Sequence, residues 1–160
     1  MTTYTLTKTP TTVAPLYPHG HVVAQTPVRT ISAVFDGAKA TTFKGSAIAT
    51  ADIFELLPIP AGSFVLTVTH QVTTAEGGTC TFDIGDGTDD NGWVVAATNG
   101  NGNSTSTNSN SFNGTTTPAF GVGKYYSAAD TIDLTLVSGT AALVIVKISA
   151  TYIEVTPVAC

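Results

Sequence analysis

Charge is scarce in this chain: 11% of its 160 residues are charged, against about 25% in an average globular domain. The six basic residues, Lys8, Arg29, Lys39, Lys44, Lys124 and Lys147, stand singly in a chain of net charge −5. They form no stripe that could neutralise phosphates, which argues against a nucleic-acid partner. Cysteine is nearly absent, with Cys80 inside an apparent strand and Cys160 at the last position. Two such residues make no disulfide framework, and Cys80 reads as a small buried hydrophobe. No apolar run approaches the roughly 18 residues of a membrane span, and the opening MTTYTLTKTP lacks the regions of a signal peptide. The expectation is a chain made in the cytoplasm, with no membrane partner.

Motifs that carry chemistry are missing too. There is no GxSxG elbow and no phosphate-cradling glycine loop, and Cys80 in mid-strand is badly placed for a nucleophile. Asp36, Asp52, Glu55, Glu76, Asp130 and Asp133 could supply two facing carboxylates, but nothing in their spacing marks a pair. A non-enzymatic protein with no cofactor is expected. The densest acidic stretch runs from Asp83 to Gly92, and its Asp83, Asp86, Asp89 and Asp90 are the candidate ligands for a calcium ion. The spacing fits no known calcium loop and no bidentate Glu follows, so turn chemistry is the simpler reading and no metal is expected. His19 and His21 share one side of an extended segment, a weak metal signal, and His70 sits on the apolar parity of its strand.

What the chain has in quantity is threonine, 30 residues, and a mean hydropathy of +0.25. Threonine and valine suit a pleated, half-buried surface, while the better helix formers Lys and Glu are few. Residues 1–30 carry Pro10, Pro15, Pro18 and Pro27 and read as an extended N-terminal arm. Its Leu6, Val13, Leu16, Tyr17, Val22 and Val23 are too many for an indifferent linker, so the arm is expected to lie along another surface. Residues 31–160 then read as one domain. Strand signals appear at 31–35, ending in Asp36-Gly37; at 52–57, closed by a corner at 58–62; and at 63–73, 80–85, 130–137 and 141–155. Trp93 restarts the sheet, and Ser138-Gly139-Thr140 reads as the turn of a hairpin. Residues 98–118 are an Asn/Ser/Thr/Gly tract and read as a long loop. The fold class is all-β, an antiparallel sandwich of the jelly-roll or immunoglobulin-like kind, with helix a minor component.

The stretch from Asp52-Ile-Phe-Glu-Leu-Leu-Pro-Ile-Pro-Ala-Gly-Ser-Phe-Val-Leu to Cys80-Thr-Phe-Asp-Ile-Gly-Asp-Gly resembles a pattern of tailed-bacteriophage virion proteins, among them head decoration (cement) proteins. The resemblance spans about a fifth of the chain and carries no catalytic residue. It implies a virion protein that stabilises the outer surface of a capsid, with the major capsid protein as partner. A chain poor in charge and able to bury flat Thr-rich surface suits that task. A homotrimer is expected, because a threefold plug closes with cyclic symmetry, and the six apolar arm residues are the expected contacts with capsid or sister subunit. The alternative is a phage fibre or receptor-binding module whose 98–118 loop touches a glycan, or a carbohydrate-binding β-sandwich.

Overall fold

The computed structural model describes residues 27–98, 105–106 and 119–155. The arm residues Leu6, Val13, Leu16, Tyr17, Val22 and Val23, the pair His19 and His21, and Cys160 lie outside the described residues. In chain order the elements are β1 (Val28–Asp36), α1 (Gly37–Lys44), β2 (Ile53–Ile59), β3 (Ser63–Thr74), β4 (Cys80–Asp86), β5 (Asp89–Thr98), β6 (Thr105–Ser106), β7 (Lys124–Tyr126), β8 (Asp130–Gly139) and β9 (Ile145–Glu154).

Alternation along these strands gives each sheet one apolar face, and two such faces can only be hidden against each other. The first sheet runs β1-β9-β3, with β6 and β7 both pairing with β3; the second runs β2-β8-β4-β5, and every pairing is antiparallel. Val65, Val68 and Val72 of β3 and Val146, Ile148 and Ala150 of β9 join Phe82 and Ile84 of β4, Ile132, Leu134 and Leu136 of β8, and Trp93 of β5 in one buried cluster. Each fully buried branched side chain contributes about 1.5–3 kcal/mol, so an all-β sandwich follows from this patterning alone. Threonine and serine line the other side of the first sheet, where Thr30 meets Thr151 at 3.0 Å and Ser32 meets Ser149 at 2.8 Å across the β1–β9 pair.

The structure corrects several local expectations. Asp36-Gly37 starts a helix instead of turning the chain: the Asp36 carboxylate accepts the Lys39 N–H at 3.2 Å as an N-cap, and Gly45 closes α1 in the left-handed region at φ 74°. β1 begins at Val28, three residues before the expected start of the domain, and pairs from there with Ile153. β2 runs through Pro58 to Ile59, where a corner was expected; β2 is an edge strand, so proline's missing N–H breaks no ladder. Ser138-Gly139-Thr140 is not a hairpin turn. β8 belongs to the second sheet and β9 to the first, and residues 140–144 cross between them with Ala141 and Val144 buried.

That crossing is held by Glu76, one of the acids named as candidates for a carboxylate pair. Glu76, 7% exposed, lies on the β3-to-β4 connection, which also changes sheets, and its carboxylate accepts the N–H groups of Leu143 at 2.7 Å and Val144 at 3.1 Å. Two sheet-to-sheet crossings are therefore tied by one carboxylate. Glu76→Ala leaves both N–H groups without a partner and is expected to cost about 2 kcal/mol in urea unfolding; a loss below about 0.5 kcal/mol means solvent replaces the carboxylate without penalty.

Candidate functional site

The chemistry-bearing residues of the described chain gather where β4 turns into β5. Asp86 and Asp89 pair at the mouth of this hairpin, and Gly87-Thr88 makes the turn. Asp86 accepts the Thr88 N–H at 3.0 Å, the Thr88 hydroxyl at 2.6 Å and the Asp89 N–H at 3.3 Å, so one carboxylate oxygen organises the whole turn. Its other oxygen accepts the Lys124 ammonium at 2.6 Å and the Tyr126 hydroxyl at 2.6 Å, and Tyr126 in turn accepts the Trp93 indole N–H at 3.1 Å. Because β7 carries Lys124 and Tyr126 in the first sheet while Asp86 and Trp93 belong to the second, this chain of bonds locks the sandwich together. Burial pushes the Asp86 carboxyl up, but Lys124, Thr88 and Tyr126 outweigh it and hold it below the usual range. Tyr126, buried beside that charge, is pushed far up and stays a neutral donor.

β5 is irregular for a steric reason. Between the pairs Asp86↔Asp89 and Ile84↔Val94, Gly85 alone stands opposite Asp90, Asn91, Gly92 and Trp93. The bulged backbone lies so close that a Cβ on Gly85 would sit 2.0 Å from the Asp89 carbonyl oxygen, which only glycine permits. A Cβ on Gly92 would sit 2.1 Å from the Phe120 ring, which packs edge-on to Trp93 at 5.3 Å with the Lys124 ammonium 4.1 Å from its centre. Further along, Ala96 takes φ 49° and its N–H is accepted by Asp83 at 2.6 Å. Burial first, then the charges of Asp90 and Asp89, raise the Asp83 carboxyl, against the pull of that hydrogen bond.

On the face turned away from the core, Asp133 and Thr135 of β8 stand in register with Gly85 and Asp83 of β4 and with Glu55 and Ile53 of β2. A cleft of about 340 Å³ opens there, lined by Asp86, Asp89, Asp90, Asp133, Thr135 and Ile53 among others. Asp133 is 6% exposed, and its carboxyl is pushed up to about 6, first by burial and then by the charges of Glu55, Asp130 and Asp86; a Thr131 hydrogen bond opposes them. Asp133 Oδ1 and Thr135 Oγ1 are buried without a hydrogen-bond partner.

The four acidic candidates of the sequence thus take different roles. Asp86 is committed to Lys124, Asp83 to a backbone N–H, and Asp89 and Asp90 face the cleft. Among the described residues, no three His, Cys, Asp or Glu side chains converge closely enough to hold a metal ion. The site residue not singled out as a ligand was Asp133. Its signal was present in Ile132-Asp133-Leu134-Thr135-Leu136, where strict alternation puts an acid and a hydroxyl together on the non-core face. Three other acids are structural: Asp36 caps α1, Asp52 pairs with Lys44 and accepts the Ala49 N–H, and Glu76 ties the crossings. His70 is buried edge-on to Phe82 at 5.7 Å, and burial lowers its pKa, so it stays neutral. Cys80 is buried, and burial, then Glu76, pushes its thiol up to about 11.

No family model and no curated protein matches this chain. Its fold does match chains of solved phage capsids. A chain from the capsid of Ralstonia phage GP4 aligns with TM-score 0.57 and 20% identity over 81% of this chain and 86% of its own length. One from the cyanophage Pam1 capsid asymmetric unit aligns with TM-score 0.53 and 20% identity over 88% and 94%. One from the acidic stable capsid of Helicobacter pylori bacteriophage KHP30 aligns with TM-score 0.51 and 12% identity over 79% and 86%. At these identities the likeness establishes a shared β-rich fold.

Proposed function

We propose that this chain is a structural protein of a phage particle that decorates and stabilises the outside of the capsid, bound to the major capsid protein as a homotrimer. The observation that carries the reading is the fold likeness to chains of three phage capsids, each matched over most of its length. The strand orders β1-β9-β3-β7 and β2-β8-β4-β5 support a jelly roll over an immunoglobulin-like arrangement, and jelly rolls are common in viral shells. The exterior suits packing between protein surfaces: the Thr30–Thr151 and Ser32–Ser149 rows are uncharged, and Val28, Val34, Phe43, Val122 and Leu143 are exposed. Contacts of this kind weaken little with salt.

The arm is assigned the anchoring role, with residues 1–26 as the part to remove, since β1 needs everything from Val28 onward. The full chain is expected to co-sediment with particles lacking it, and the chain without residues 1–26 is expected to stay folded by circular dichroism but to bind at least tenfold less. Equal binding by the truncated chain sinks the anchoring role, and failure of the full chain to bind particles sinks the proposed function.

A further inference from the structure

A strand at the edge of a sheet offers N–H and C=O groups to any chain that can pair with them, and native proteins blunt such edges with proline, bulges or charge. Most edges of this sandwich are blunted. β2 carries Pro58 and a register break between Glu55 and Leu57, the β4–β5 pairing breaks register and β5 bears Asp89 and Asp90, and the far side of β3 is taken up by β6 and β7. β1 is different. It runs in unbroken register with β9 from Val28 to Asp36, holds no proline or glycine, carries no charge from Thr30 to Phe35, and among the described residues has no other neighbour in its sheet. The flank beside it is incompletely closed. Ile31 and Ala33 stand in register with the buried Ala150 and Ile148 and so point towards the core, yet both are only half-buried. Phe54 and Leu56 of β2 are half-buried on the same flank, where the Phe35 and Phe54 rings bring β1 and β2 together at 4.9 Å.

We propose that this edge takes up Thr3–Thr9 of a second copy of the chain, added beside β1 as one more strand. The inference rests on the homotrimer reading above and names the contact that builds the trimer. Thr3-Tyr4-Thr5-Leu6-Thr7-Lys8-Thr9 alternates strictly, with threonine at every second place and no proline or glycine. Beside β1, its threonines continue the hydroxyl rows that Thr30 makes with Thr151 and Ser32 with Ser149 on the outer face. Tyr4 and Leu6 then turn inwards and cover Ile31, Ala33, Phe54 and Leu56, while Lys8 at the strand end reaches solvent past the rim. The opposite parity would bury the threonines and expose Tyr4 and Leu6, so the pattern fixes the face. Residues 10–27, which join this segment to β1, hold Pro10, Pro15, Pro18 and Pro27. Extended at about 3.1 Å per residue they reach up to about 55 Å, more than the roughly 36 Å across a domain of this size. The segment can therefore cross to a neighbour. Donation of one segment to one edge is a head-to-tail contact that closes as a ring of three, whereas pairing β1 with β1 is twofold and stops at a dimer.

The test is cross-linking between two populations of the full chain, both carrying Cys160→Ser, which leaves the buried Cys80 as the native cysteine. One population carries Ser32→Cys on β1 and the other Thr3→Cys, Thr5→Cys or Thr7→Cys on the arm; the two are refolded together and treated with a short bismaleimide. Expected is a covalent dimer of one arm copy and one β1 copy from at least one of the arm positions. Leu6→Asp on the arm copy is expected to lower its yield about tenfold or more, since it places a charge where an apolar side chain is covered. Light scattering is expected to give a trimer for the full chain and to lose it when residues 1–9 are deleted, with the circular dichroism of the domain unchanged. A trimer that gives no mixed dimer from any arm position, or that survives the deletion, overturns the inference and leaves the homotrimer standing. A link formed only inside a copy bearing both cysteines, or only between two Ser32→Cys copies, overturns it as well, by assigning the edge to the chain's own arm or to a second β1. A full chain that is monomeric at every concentration sinks the homotrimer and this contact together, whereas binding to particles, measured separately, bears on the decorating role alone.

Discussion

Asp86→Ala is expected to lower the unfolding free energy by about 3–5 kcal/mol, the largest loss of any single substitution considered. The carboxylate is buried and bonded to the Lys124 ammonium, the Tyr126 hydroxyl, the Thr88 hydroxyl and two backbone N–H groups. Removing it strands a largely buried cation, and breaking such a pair by deleting one partner costs far more than the pair itself contributes. The double variant Asp86→Ala with Lys124→Met removes both charges and is expected to recover at least 1 kcal/mol of that loss. Urea unfolding of the two variants decides it: a loss under 1 kcal/mol for Asp86→Ala means the sheets are held by the apolar core alone.

Asp133→Asn is expected to act in the opposite direction, raising stability by about 1 kcal/mol at pH 7.5 once solvent screening is allowed for. The Asp133 carboxyl is held near pH 6 against 3.8 in an unperturbed chain, so the folded state binds its proton more tightly than the unfolded state does. Above pH 6 the ionised form disfavours folding, and that cost is relieved as pH falls from 6 towards 4. Asp86 runs the other way: its depressed pKa gives stability that is present above about pH 4 and lost as pH falls below the usual carboxylate range. The intact protein is therefore expected to be most stable at about pH 4–5, and in Asp133→Asn the decline between pH 5 and 7.5 flattens. Melts across that range read the effect, and a wild-type optimum above pH 7 would falsify the assignment.

Much of this protein was legible in its residues because strand patterning is local. Cys80, Phe82 and Ile84 against Thr81, Asp83 and Gly85 fix which face of β4 is apolar whatever strand lies beside it. The same holds for Ile132, Leu134 and Leu136 of β8, so the all-β class and the sandwich followed from alternation and the shortage of helix formers. The turn after β8 was misread because a Ser-Gly-Thr connection looks the same whether the next strand returns beside its predecessor or crosses to the opposite sheet. That choice depends on Glu76, distant in sequence, and on the burial of Ala141 and Val144. The site divides in the same way. Clustered acids at 83–90 announced a turn with unusual charge, but a linear chain cannot say which carboxylate meets a lysine. Lys124 reaches Asp86 only because β7 pairs with β3 in the opposite sheet, and Asp133 is brought beside the hairpin only because β8 pairs with β4. By itself the sequence determined which faces are buried and what the chain lacks; the tertiary structure alone decided which charge is paired and which is stranded, because pairing between strands is set by non-local packing.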